Sequence, residues 1–425
     1  MPSGASPSSV PSAPDGRRPQ PWSYAALLVL LMLGQATSAI PSPLYSLYAD
    51  KWHYPPFLTT VIFAAYGAVA VVAILCSGAL SDRYGRRPVL LVAVVLLLAG
   101  LAVFLFATGP ASLVVARMLN GLGIGAIVVV GGAALLDISP ERAARSGTLT
   151  AVAFNVGIAV AALGTATLAQ TGFHPLLLPY LADALIALVL LVLLAVMREP
   201  HPSPGGAPLG IPRPRVPKEI RGRFVFSVLG AGAAWAVLGV CFSLEPSIAS
   251  HAAHIDGPFF GGVIIAAVTL SAACAQVVGG RYPARTVALT GDLALAVLML
   301  AGVGAFATGD AVVITVAVAL QGAAYGLAFG GSLRHLTAYI PAESRGAVMS
   351  VFYLLAYGAL ITPTLLVGVG ATLWGDTTIF PVFAVLAALL CLSAVLVEHV
   401  LERRRPRTGA MPMPDAVVGE LDRVD

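Results

Sequence analysis

Charge is scarce in this sequence. Asp, Glu, Lys and Arg make up 10% of its 425 residues, hydrophobic residues make up 58%, and the mean hydropathy of +0.90 lies above what a water-soluble domain keeps in solution. Cysteine is scarcer still: Cys76, Cys241, Cys274 and Cys391 all fall in apolar runs, where a thiol behaves as a small hydrophobe, so no disulfide is expected. No His or Cys pair has ligand spacing, so neither a metal nor a cofactor is expected. A Walker-type phosphate loop is missing, which argues against direct use of ATP. A clustered nucleophile and base are missing too, so no catalytic residue and no enzyme is expected. The opening "MPSGASPSSVPSAPDGRRPQP" lacks a short apolar core with a cleavage site and reads as a disordered tail, not a signal peptide.

What the chain has instead is a series of apolar runs of about 20 residues, each long enough to cross a ~30 Å hydrocarbon core as a helix. Twelve spans are predicted, at 24–47, 57–79, 88–108, 110–136, 147–170, 176–197, 224–249, 258–279, 286–307, 311–335, 347–372 and 378–400. Arg and Lys resist translocation and collect in cytoplasmic loops. Here they fall on one side: Arg17 and Arg18, then Arg83, Arg86, Arg87 and Arg142, then the middle loop, then Arg281 and Arg285, then Arg403 and Arg404. Only Lys51 stands opposite. A multi-pass protein of the cell membrane is expected, with both termini cytoplasmic and the lipid bilayer as its surroundings. The net charge of +4 follows from this topology and implies no nucleic-acid partner.

After Met197 comes "REPHPSPGGAPLGIPRPRVPKEIRGR", too rich in Pro, Gly and charge to be a buried helix. The expected organisation is a tail over 1–21, a six-helix bundle over 22–197, a cytoplasmic linker over 198–222, a second six-helix bundle over 223–400 and a tail over 401–425. The bundles resemble each other. "SPLYS" matches "EPSIAS", aligning Pro43 with Pro246, and "NGLGIGA" matches "QGAAYGLA", aligning Gly121 with Gly322 and Gly125 with Gly326. Pro140 aligns with Pro341 and Arg83-Tyr84 with Arg281-Tyr282. Such a parallel repeat gives an all-α membrane fold with a pseudo-two-fold axis along the membrane normal and a cavity between the halves.

A dense cluster of charge lies in "GALSDRYGRRP", Gly78 to Pro88, between spans 2 and 3. Gly78 lets span 2 approach a neighbour, Gly85 permits a tight reversal, and Asp82 can pair with Arg86, with Asp137 at the end of span 4 as a third partner. Arg87 reads as a sidedness signal alone. The stretch resembles the cytoplasmic-loop signature of the major facilitator superfamily, Gly-x-Leu-(Ala/Ser)-Asp-Arg-x-Gly-Arg-(Arg/Lys), at every specified position, including Arg83. The resemblance extends over residues 22–400 in span count, loop position and central linker. It implies twelve helices, secondary transport by alternating access, and a latch at Asp82 and Arg86 that holds the two halves together on the cytoplasmic side. Gly280 stands where a second Asp would align, so the latch is one-sided.

Ionisable residues inside spans are expensive and need a partner or a cavity. Arg117, in "LVVARMLNGLGIGA", resembles the family's span-4 arginine, which implies proton coupling or an anionic substrate; a hydrogen-bonding structural role is the alternative. Gly121, Gly123 and Gly125 follow it within a helix and serve close packing, not a dinucleotide. Asp183 on span 6 and Glu245 on span 7 are proton-carrier candidates, because burial disfavours the charged carboxylate. Asp183 paired by neighbours and Glu245 solvated at the outer helix end are the alternatives. Asp292 and Arg334 are placed near the membrane edge and read as structural. A cavity surface is expected from Gln35, Ser38, Ser42 and Tyr45 on span 1, Asn120 on span 4, Trp235 and Phe242 on span 7, and Tyr353 and Tyr357 on span 11. Sparse polar groups among aromatics suit an amphiphilic organic molecule. Ala161-Ala162 stands where the family's antiporters have Gly-Pro in span 5, so efflux is not certified. The leading expectation is a monomeric, proton-coupled exporter of a small molecule; an importer of the same fold and a non-transporting membrane sensor are the rivals.

Overall fold

A computed structural model describes residues 20–139, 143–200, 215–341 and 344–404. Pro140 and Arg142, most of the linker and nearly all of both expected tails lie outside the described residues. Among the described residues there are helices and no strand. In lipid, a helix satisfies its backbone polar groups internally, which is what the long apolar runs require. Among the described residues, twelve helices are long and apolar enough to cross a membrane: Ser23–Trp52, Pro56–Tyr84, Arg86–Leu105, Pro110–Ile138, Leu149–Gln170, Leu178–Val196, Lys218–Ser243, Pro258–Gly279, Ala284–Ala307, Ala311–Thr337, Gly346–Trp374 and Thr377–Arg403. We number them spans 1 to 12.

The spans start where Pro can sit in a first turn, since its missing N–H is an orphan there anyway; Pro56, Pro110 and Pro258 each open one. Span 2 runs past its expected end at 79 to Tyr84 and stops at Gly85, whose φ of 101° suits a residue without a Cβ. Two spans are broken. Span 1 consists of a helix over Ser23–Ala39, a 3-10 turn over Ser42–Leu44 and a helix over Tyr45–Trp52; Pro41 and Pro43 withhold the N–H groups that would continue the ladder. Span 7 stops at Ser243, turns at Leu244 and restarts as Glu245–Ala252, with Pro246 in the new first turn. Span 4 holds a π-helical turn over Ile127–Gly131.

The two halves repeat one packing scheme. A Cβ on Gly121 would lie 2.5 Å from the Tyr66 carbonyl oxygen of span 2, and one on Gly322 would lie 2.3 Å from the Val268 carbonyl oxygen of span 8. Spans 2 and 4, and likewise 8 and 10, therefore meet backbone to backbone. Between spans 3 and 4 the Asn120 amide fills the space over Gly100, and between spans 9 and 10 the Gln321 amide fills the space over Gly302. The halves touch each other through spans 2 and 11 and spans 5 and 8. The Phe57 amide donates to Thr372 Oγ1 at 3.0 Å, and a Cβ on Gly262 would lie 2.8 Å from the Ala162 carbonyl oxygen. These contacts lie at the end opposite Arg86. Toward the Arg86 end, Asn155 Nδ2 lies 3.4 Å from Gln276 Oε1.

Candidate functional site

Each break carries a buried ionisable group. Arg117 is 0% exposed and reaches from span 4 to both parts of span 1: Nη1 donates to the Ser38 carbonyl at 2.7 Å, and Nε and Nη2 donate to Tyr45 Oη at 3.0 and 2.5 Å. Ser38 precedes the break and Tyr45 follows it, so the guanidinium ties the two parts together. The rings of Tyr45, Phe63 and Tyr66 surround it at 5.6–5.8 Å. Among the described residues no carboxylate lies within ion-pair distance of Arg117. Glu245 opens the second helix of span 7 at 3% exposure, so the alternative of a solvated carboxyl at the helix end does not hold. The chain restarts there beside Leu244, inside the protein.

A cavity of about 390 Å³ lies between the two breaks at the end opposite Arg86. Ser42, Pro43 and Tyr45 line it from the first half and Ser243, Leu244 and Pro246 from the second. Asp50, His251 and Asp256 add ionisable groups that helical spacing alone did not single out; they sit beyond the breaks, where the stripe of either span no longer predicts orientation. Ser42 Oγ is buried without a hydrogen-bond partner.

The other expected cavity residues sit elsewhere. Gln35 is partly buried and Ser38 Oγ bonds back to the Gln35 carbonyl at 2.7 Å; both precede the break at Pro41, and neither lines the cavity. Asn120 turns to Gly100 on span 3, away from the second half. Phe242 is 5% exposed in the apolar core. Trp235, Tyr353 and Tyr357 group with Phe329 outside that cavity, with the Trp235 ring edge-on to Tyr357 at 4.7 Å, and Tyr357 is hydrogen-bonded across to Tyr66 beside Arg117. Asp183 faces a mostly apolar groove of about 260 Å³ between spans 1, 5 and 6, and its Oδ2 lies 2.6 Å from Thr37 Oγ1.

The charged loop is tightly knit. Arg86 Nη1 lies 2.5 Å from Asp82 Oδ1 and 2.6 Å from Ser81 Oγ, and Nε lies 2.9 Å from Asp137 Oδ2. Glu199, just past span 6, accepts from the backbone N–H groups of Arg86 at 2.7 Å and Arg87 at 3.1 Å, covering the N-terminus of span 3. A Cβ on Gly85 would come within 2.6 Å of that carboxylate. Arg87 does more than mark sidedness: its Nε donates to the Leu194 carbonyl at 3.0 Å and its Nη2 to the Ala195 carbonyl, closing the last turn of span 6. Arg83 points outward over the Tyr84 ring at 5.7 Å. Gly78 makes no close approach, since a Cβ there would meet Val129 Cγ1 at an ordinary 3.8 Å. Each of these partners lies on spans 2, 4 or 6 or just after span 6, so this cluster braces the first half. Glu199 escapes sequence reading because it lies in a stretch that has every mark of a linker.

A sequence model of the Major Facilitator Superfamily matches residues 27–283. The chain is 34% identical over 103 residues to the arabinose-proton symporter of Bacillus subtilis, covering 24% of this chain and 22% of that one. It is 35% identical over 145 residues to the class C tetracycline resistance protein of Escherichia coli, covering 33% of this chain and 35% of that one. The chain thus spans about a fifth to a third of these relatives' length. Among solved structures, a peptide transporter superposes with a TM-score of 0.72 at 15% identity over 93% of this chain and 97% of that one, a likeness of fold.

Proposed function

Because the chain belongs to the major facilitator superfamily, we propose that it is a secondary transporter that moves a small amphiphilic organic molecule by alternating access. The observation that carries this reading is the pairing of breaks: spans 1 and 7, in corresponding places of the two halves, are both interrupted, and one cavity lies between them. Interrupted helices at a repeat interface let short segments move against a fixed bundle and leave backbone groups free for a substrate. One chain supplies both walls, so the monomer is the working unit.

The end that carries Arg83, Arg86 and Arg87 is the cytoplasmic one, by the tendency of cationic loops to stay inside, which puts both termini in the cytoplasm and the chain in the cell membrane. Asp82, Arg86 and Asp137 are the latch of this reading: they hold spans 2 and 4 as a rigid edge that the second half meets when the cavity opens outward. Glu245 is the proton carrier, because it is buried at a break where movement changes its access to water. Efflux is the favoured direction, and the similarity to a tetracycline resistance protein supports it. Uptake is the second reading, favoured by Ala161-Ala162 in span 5 and by the similarity to an arabinose-proton symporter.

Reconstitution in liposomes with an imposed pH gradient tests all of this. A panel of amphiphilic cations, aromatic acids and sugars is screened for flux and for coupled proton movement. Gradient-driven flux of one class is the expected result, and no flux of any class with correctly folded protein refutes the reading.

A further inference from the structure

Spans 9 and 10 cross at two glycines. A Cβ on Gly291 would lie 2.2 Å from the Ala328 amide nitrogen, and one on Gly331 would lie 2.4 Å from the Ala288 amide nitrogen. The residue after each glycine is polar, Asp292 and Ser332, and both are 0% exposed. Asp292 was expected near the membrane edge; the crossing buries it inside the second half. Both side chains converge on span 7, where Gly230 leaves a gap. A Cβ on Gly230 would lie 2.7 Å from Asp292 Oδ2, 2.8 Å from Ser332 Oγ and 2.9 Å from Asp292 Oδ1. Ser227, one turn earlier on span 7, is 0% exposed as well. None of these four oxygens has a hydrogen-bond partner among the described residues. Buried hydroxyls elsewhere in the same half bond back to their own helix, as Ser243 does at 2.7 Å and Thr269 at 2.9 Å.

The first half supplies an internal control. Asp292 lies ten residues before Gly302, as Leu90 lies ten before Gly100; Ser332 follows Gln321 by eleven, as Gly131 follows Asn120 by eleven; and Gly230 precedes Pro246 by sixteen, as Leu27 precedes Pro43 by sixteen. Leu27 and Leu90 are both 0% exposed in the apolar core. The first half carries leucine at two of these positions and glycine at the third, with Val89 and Val130 where the second half has Gly291 and Gly331, so the glycine crossing and the three unpartnered oxygens at the Gly230 gap are departures of the second half.

We propose that Asp292 and Ser332, set around Gly230, with Ser227 one turn earlier on span 7 as a further donor, bind one small monovalent cation, Na⁺ or a proton. Oxygen donors alone suit a hard cation. A single carboxylate balances one positive charge, whereas a divalent ion would leave net charge in an apolar bundle. The other ionisable groups nearby are the Cys391 thiol of span 12, within electrostatic range of Asp292, and His335 of span 10, edge-on to Phe226. Farther toward the Arg86 end, Arg285 of span 9 is tied to Glu398 of span 12 at 2.6 Å. The site lies fifteen residues from Glu245 on span 7, about 22 Å at 1.5 Å per residue. It is separate from the cavity between the halves, yet it rests on the same broken helix.

The test reads binding, so its outcome is independent of the transport reading. The full chain in nanodiscs is titrated with NaCl against choline chloride at constant ionic strength while its thermal unfolding midpoint is followed. Proton uptake across an acid step is recorded with a pH dye. For a Na⁺ site, the midpoint rises saturably with Na⁺ alone, and Asp292→Asn abolishes the rise. For a proton site, Na⁺ has no effect and Asp292→Asn takes up one proton fewer than the parent. Gly230→Ala, which fills the gap, and Ser332→Ala, which removes a donor, each weaken the Na⁺ response about tenfold in the Na⁺ case and move the pH midpoint of proton uptake by about one unit in the proton case, the worth of one hydrogen bond to a charged group. An Asp292→Asn protein with parental Na⁺ response and parental proton uptake overturns the proposal. Should Asp292→Asn fail to fold, parental behaviour of both other variants overturns it equally.

Discussion

Arg117→Lys separates the geometry of the span-1 tie from its charge. The guanidinium makes three hydrogen bonds to two acceptors on opposite sides of the break. An ammonium on a flexible stem keeps the charge but reaches only one of those acceptors well, so two bonds are lost. Hydrogen bonds inside membrane proteins are worth about 0.6 kcal/mol on average and up to about 1.7; with a charged donor, about 1.5 kcal/mol each is the fitting value. The loss is then about 3 kcal/mol, or roughly 150-fold in the balance between tied and released forms of span 1. Parent and variant are purified, reconstituted in liposomes and compared by initial substrate flux and by thermal midpoint. Flux is expected to fall by at least about tenfold in the Lys variant, and Arg117→Ala is expected to lose gradient-driven transport altogether. Parental flux in the Lys variant refutes the tie and reduces Arg117 to a generic charge.

Asp82→Asn removes one arm of the Arg86 cluster while Asp137 still holds the guanidinium; turnover is expected to stop with expression and ligand binding preserved, as flux and equilibrium binding together will show. Glu245→Gln is expected to uncouple flux from the pH gradient but allow downhill exchange, whereas Asp183→Asn mainly lowers the yield of folded protein; the reverse pattern makes Asp183 the carrier. Gly121→Val drives a side chain into the Tyr66 carbonyl and is expected to abolish folded protein by size-exclusion chromatography. Gly132→Ala, where a Cβ would meet nothing within 4 Å, is expected to leave the yield unchanged.

Hydrophobic run length located all twelve spans, because a membrane helix has to be apolar along its whole course and a loop does not. Pro246 foretold the break in span 7, although not that Glu245 would be buried. Depth was easier to read than direction: the numbering put Asn120 in mid-span, but only the packing against Gly100 turns it away from the cavity. The burial of Asp292 was not legible either, because the crossing at Gly291 and Gly331 that encloses it is a tertiary contact between two helices. The pair of breaks also defeats a periodicity argument, since a 3-10 turn between Gln35 and Tyr45 shifts the stripe that residue spacing assumes is continuous. The π-helical turn at Ile127–Gly131 has no signature in its Val-rich sequence.

Alternating access requires the ends of spans 2 and 11 opposite Arg86 to separate and rejoin in every cycle. The Phe57 amide and Thr372 Oγ1 are 3.0 Å apart there. Phe57→Cys with Thr372→Cys, in a background lacking the four native cysteines, allows that end to be closed by a disulfide, and substrate flux into liposomes is measured before oxidation, after it and after reduction. The expected result is that flux falls to background in step with cross-linking and returns on reduction. Parental flux through fully cross-linked protein would contradict alternating access between the two halves.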